Sequence, residues 1–122
     1  VELAVNRQSC TQDKDPDFYG QDLVEEVVEV QVRNSTSNPL TVQRDAFRLI
    51  SPDGYGLRTM TWRAVDPLTL KGGETRRFEL RFMYRGVLEC TEGMKLDADA
   101  GVKINGRPIA IGAVSFQPSR AL

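Results

Sequence analysis

Along much of this chain, apolar side chains recur at every second position. From Glu26 to Asn34, Val28, Val30 and Val32 share one parity, and Glu29, Gln31 and Arg33 share the other. The pattern returns from Thr75 to Arg85, with Phe78, Leu80, Phe82 and Tyr84 on one side and Arg77, Glu79, Arg81 and Arg85 on the other. Successive side chains of an extended chain point to opposite faces, so this spacing predicts half-buried strands of antiparallel sheets. Weaker versions predict strands at Glu2–Gln8, Leu40–Ile50, Leu57–Val65, Leu96–Ile104 and Arg107–Phe116. No long segment has helical periodicity.

Turn chemistry divides the chain at the same places. Asn34–Pro39 is a polar connection. Ser51-Pro-Asp-Gly54 suits a type I turn, with proline second and glycine fourth. Lys71-Gly-Gly-Glu74 leads into the next strand. Asn105-Gly106 is a strong hairpin signal, because both residues tolerate positive φ. A two-residue turn there pairs Ile104 with Arg107, Lys103 with Pro108, Val102 with Ile109 and Ala100 with Ile111, so apolar residues meet on one face. Pro108 cannot donate to a further strand, which puts the start of the last strand at a sheet edge. Gly112 marks a bulge, because the apolar parity shifts from Ile109 and Ile111 to Val114 and Phe116. Residues 11–25 read as a long polar loop with room for one helical turn. Seven short strands with regular turns predict one all-β sandwich domain over residues 1–122.

The stretches Val28-Glu-Val-Gln-Val-Arg-Asn34, Pro39-Leu-Thr-Val42, Phe47-Arg-Leu49 before Asp53-Gly54, and Leu70-Lys-Gly-Gly-Glu74 before Phe78-Glu-Leu-Arg-Phe82 resemble those of bacterial exported immunoglobulin-like domains of unknown function. Such domains often follow lipoprotein or secretion signals and are similar in fold to a mycobacterial secreted antigen. The resemblance spans about residues 26–116. It implies an immunoglobulin-like antiparallel β-sandwich of about seven strands, and export. It carries no catalytic residues. The variable-domain arrangement of Cys, Trp and Cys within the core is not matched: Cys10 comes too early, near the first strand, and Trp62 does not have the position expected between cysteines of the second and sixth strands.

Composition narrows the function more than it identifies it. The 122 residues suit one domain with its own core. Lys and Arg total 16 against 17 Asp and Glu, so there is no basic excess of the kind that general nucleic-acid binding requires. No residue is histidine, which removes the commonest general base and a frequent metal ligand. No apolar run reaches the ~18 residues that span a bilayer. The first residue is Val1, so a secretion signal or lipid anchor upstream of it would leave no trace here.

Cys10 and Cys90 are the only cysteines. They are too far apart for a redox CxxC or a zinc cluster. One long-range disulfide is the simple reading, and closing so long a loop contributes about 4 kcal/mol on the chain-entropy argument. Such a bond implies an oxidising compartment, hence export. Two buried free thiols in a reducing compartment are the alternative.

Candidate chemistry is sparse. Asp13, Asp15 and Asp17 alternate like the start of an EF-hand loop, but Phe18 stands where glycine belongs, Val24 where glutamate belongs, and Pro16 stiffens the middle. A solvated acidic loop is the favoured reading over a calcium site. No nucleophile motif or phosphate loop occurs, and Asp97 and Asp99 alternate as any solvent-facing pair would. The expectation is therefore a protein that is not an enzyme and has no cofactor or metal. Arg76, Arg77, Arg81 and Arg85 crowd one strand; Arg77 and Arg81 are expected to meet Glu29 and Glu25 across the sheet. Phe47, Phe78, Phe82 and Phe116 are core candidates. Tyr55, Trp62 and Arg63 are the candidate binding contacts, since aromatic and Arg side chains dominate hot spots. These features point to an exported module that binds another protein through loops and an edge strand. A structural subunit of an envelope assembly or homo-oligomer is the second reading, and a small-ligand or calcium-binding domain the third.

Overall fold

The computed structural model describes residues 1–14, 22–54, 56–59, 65–85 and 93–116. These residues form antiparallel sheets, turns and one short 3-10 turn. The strands are β1 (Glu2–Lys14), β2 (Asp22–Arg33), β3 (Leu40–Val42), β4 (Arg48–Ile50), β5 (Gly56–Arg58), β6 (Leu68–Leu70), β7 (Thr75–Arg85), β8 (Met94–Asp97), β9 (Val102–Ile104), β10 (Arg107–Pro108) and β11 (Val114–Phe116).

They make three sheets, ordered β1-β2-β7, β10-β9-β3-β6 and β11-β8-β4-β5. Among the described residues, eleven strands replace the seven expected, because three predicted strands are interrupted and β6 was not anticipated from the sequence. Between β3 and β4 the chain makes a 3-10 turn at Arg44–Ala46. Gln43 holds that interruption, its Nε2 donating to Asp45 Oδ1 and to Val65 O (2.8 Å). Between β8 and β9 the chain turns through Asp99, whose φ is 51°. Gly101 closes that turn. Its N–H donates to Ala98 O at 2.8 Å, and a Cβ there would sit 2.8 Å from Gln43 O. Only glycine allows so close a backbone approach.

The last hairpin keeps the predicted register at Arg107↔Ile104 and Pro108↔Lys103, with Asn105 at φ 53° and Gly106 at φ 75°. β10 lies at a sheet edge, as Pro108 requires. The register does not run on to the predicted Ala100–Ile111 pair, since Ala100 lies in the turn beside Asp99. Where a bulge was expected at Gly112, the strand is interrupted over residues 109–113. β1 and β2 reach further into the expected loop, pairing Cys10 with Glu26 and Lys14 with Asp22.

One hydrophobic core joins all three sheets. Val24, Val28, Val30, Val32, Leu80 and Phe82 come from the long-stranded sheet, Leu40, Val42, Leu70 and Val102 from the second, and Leu49, Met94 and Leu96 from the third. Phe47 and Phe78 meet edge to face, with ring centroids 5.7 Å apart. Phe47 and Phe82 are fully buried, while Phe78 and Phe116 pack against the core partly exposed.

Magnitudes show which face holds the fold. Each buried valine contributes roughly 1.5–3 kcal/mol. On the outer face, Arg81 reaches Glu25 at 3.6 Å with both side chains partly exposed, a contact worth at most about 1 kcal/mol. Arg77 does not meet Glu29 as expected. Its Nε donates to Gln31 Oε1 at 3.1 Å, because the register sets Arg77 against Gln31 and Glu29 against Glu79.

Asn34 is the buried polar residue that ties the sheets together. Its Nδ2 donates to Leu70 O (3.1 Å) and Asn38 O (2.7 Å), and its Oδ1 accepts from Thr36 N (3.0 Å). A buried amide with these bonds satisfied costs little.

Candidate functional site

Three strand ends of the β11-β8-β4-β5 sheet converge on an open cleft of about 600 Å³. β4 ends there at Ile50, β8 begins there at Met94 and β11 ends there at Phe116. The sheet register brings them together, pairing Phe116 with Met94 and Ile50 with Lys95. The Ser51–Gly54 turn forms one wall and has its predicted closing bond, Gly54 N–H to Ser51 O at 2.9 Å. Gly54 takes φ 88°, a conformation that favours glycine.

The walls are mainly apolar: Ile50, Pro52, Met94 and Phe116. Ser51 and Ser115 supply hydroxyls, and Lys95 is an exposed cation at the rim. Among the described lining residues there is no carboxylate, thiol or imidazole. This chemistry suits holding an apolar group beside a polar or anionic one, the composition typical of binding pockets.

A second feature lies inside the long-stranded sheet. Glu26 has the parity of Val24, Val28, Val30 and Val32 and is fully buried with them. Neither carboxyl oxygen has a hydrogen-bond partner among the described residues. Its cross-strand neighbours are Cys10 and Phe82, and its diagonal neighbours are Gln8, Gln12, Leu80 and Tyr84. None of these offers a positive charge. Burial therefore pushes the Glu26 carboxyl up to about 8. Sequence reasoning missed this residue, although the signal was present: counting back by twos from Val32 lands on it.

Of the sequence-predicted site residues, Tyr55, Trp62, Arg63 and Cys90 lie outside the described residues. Gly54, the neighbour of Tyr55, lines the cleft. Cys10 is fully buried in the core. Asp13 is exposed on β1, opposite Leu23; Asp15 and Asp17 lie outside the described residues. Among the described residues, no three acidic, thiol or imidazole side chains converge on a metal position, and no helix is long and apolar enough to cross a membrane.

No protein family, curated protein or solved structure matches this chain.

Proposed function

We propose that this chain is an exported, non-enzymatic module that binds a partner protein by seating one of its apolar side chains in the cleft between β4, β8 and β11. The cleft carries this reading. It is open and apolar-walled, it lies at strand ends where loops meet, and it combines Ile50, Met94 and Phe116 with a rim cation and, among the described lining residues, no carboxylate, thiol or imidazole. The complete lack of histidine supports the same conclusion. The partner segment that fits is an apolar residue followed by an acidic one, which would reach Lys95.

The immunoglobulin-like sandwich is part of this proposal. Joining each short strand to its continuation, β3 with β4, β5 with β6, β8 with β9 and β10 with β11, leaves seven strands. Their orders become first-second-fifth in one layer and seventh-sixth-third-fourth in the other. First, second and fifth together, facing third, sixth and seventh, follow the immunoglobulin pattern.

Export rests on the two cysteines. Cys10 pairs with Glu26, four residues short of the end of β1. Cys90 follows β7, which leaves the sheet at that same end. A Cys10–Cys90 bond would therefore close across one end of the sheet. Protein purified without reductant should have an intact mass two hydrogens below that of the reduced chain. Two free thiols after oxidising purification would contradict export.

The cleft is tested by filling it. Wild type, Ser115→Trp and, as control, Arg76→Ala should be used to retrieve partners from envelope extracts. The retrieved partner is then titrated in purified form. Ser115→Trp should weaken binding at least about tenfold, the scale of one lost anchor contact, and Arg76→Ala should not. Equal binding by wild type and Ser115→Trp would remove the cleft from the interface.

A further inference from the structure

Among the described residues, the long-stranded sheet ends on one side at β1, which pairs with β2 alone and has β11 close by without pairing to it. A register shift between Val5 and Arg7 divides the strand. Such bulges guard sheet edges against pairing. Beyond it, Arg7–Asp13 keeps an unbroken register with β2, with Arg7, Ser9, Thr11 and Asp13 exposed, Cys10 buried, and Gln8 and Gln12 half-buried. This segment contains no proline, lysine or further bulge, the usual devices that block an edge.

The segment is also complementary to itself. Laid antiparallel on a second copy with Cys10 opposite Cys10, it sets Arg7 against Asp13, Ser9 against Thr11 and Gln8 against Gln12. Exposed residues then meet exposed residues and inward ones meet inward ones, as a continuous sheet requires. Two-fold symmetry produces the Arg7–Asp13 pair twice. Within Arg7–Asp13, the neighbouring symmetric registers that keep the faces matched, centred on Ser9 or Thr11, bring no opposite charges together. Among the described residues neither Arg7 nor Asp13 has an ion-pair partner within its own chain.

We propose that the Arg7–Asp13 edge of β1 pairs antiparallel with the same edge of a second copy, joining two three-stranded sheets into one of six strands. The partner is another copy of this chain. The charge pairs set register and discriminate against misaligned pairing, while backbone hydrogen bonds along the edge supply the adhesion.

Sedimentation of the full chain from low micromolar to near-millimolar concentration tests this. Wild type should dimerise reversibly. Arg7→Asp and Asp13→Arg should each weaken the dimer at least about tenfold, because each turns two attractions into repulsions. An equimolar mixture of these two variants should form a heterodimer, since every facing pair is again opposite in charge. The double variant Arg7→Asp/Asp13→Arg should dimerise like wild type, and it decides the matter if a single variant fails to fold. A wild type monomeric throughout, single variants that dimerise as well as wild type, or charge swaps that restore nothing would each overturn the proposal.

Discussion

Replacing Glu26 with valine should stabilise this protein, and the gain should grow with pH. Ordinary carboxyls ionise near 4.5, whereas Glu26 in the folded chain stays protonated until about pH 8. Below about pH 4.5 both folded and unfolded chains hold the proton, and ionisation adds no penalty. Between the two values the unfolded chain releases its proton and the folded chain keeps it. Folding stability therefore falls by about 1.4 kcal/mol per pH unit across that window, and the loss levels off above pH 8. Because Glu26 is fully buried, the accumulated loss is on the order of 5 kcal/mol. Among the described residues even the neutral carboxyl has no hydrogen-bond partner, which costs a further ~1–3 kcal/mol at every pH.

Valine matches Val24 and Val28 on the same face, so Glu26→Val removes both terms. Glu26→Gln should abolish the pH dependence while keeping an unbonded polar group. Urea unfolding of wild type and both variants from pH 5 to 9 reads the difference directly, and other carboxyls cancel in the comparison. A Glu26→Val protein less stable than wild type, with no change in slope, would mean that the carboxyl has partners worth more than its burial costs.

The same residue shows how far the sequence could be read. β7 was predicted with its observed bounds because its alternation is unbroken from Phe78 to Tyr84. The β9–β10 turn was legible because Asn105-Gly106 has few conformational alternatives. The extension of β1 was not. Ser9-Cys-Thr-Gln-Asp-Lys14 has the composition of a loop, and it becomes strand because residues 22–27 of β2 lie alongside to accept its hydrogen bonds. The interruptions were hidden for a similar reason. Gly101 looks like an ordinary strand glycine until Gln43, far away in sequence, is placed against it. The cleft was invisible because its walls come from three distant strand ends. Glu26, by contrast, carries its signal in the alternation, which puts it on the inward parity of Val28, Val30 and Val32 despite its charge.

The second large effect concerns solvent access to consecutive residues of β7. Replacing Glu79, Leu80 and Arg81 one at a time with cysteine samples one pleat. Glu79 and Arg81 are exposed, and Leu80 is 5% exposed against the core. Substituting the exposed pair disturbs no packing. Leu80→Cys removes apolar volume but leaves a small hydrophobe in its place. A buried thiol reacts only when the structure opens, so its labelling rate reports the opening free energy. Even with some stability lost at Leu80, a remaining opening cost of about 3 kcal/mol slows labelling roughly hundredfold.

All the structural and functional readings depend on every second side chain of the long strands facing a shared interior. Thiol labelling of Glu79→Cys, Leu80→Cys and Arg81→Cys under native conditions, with wild type as background, tests that claim most directly. Fast, slow, fast is the predicted order, with Leu80→Cys at least about a hundredfold behind its two neighbours until denaturant is added. Equal rates in all three variants, or a protected thiol in Glu79→Cys or Arg81→Cys beside a reactive one in Leu80→Cys, would contradict it.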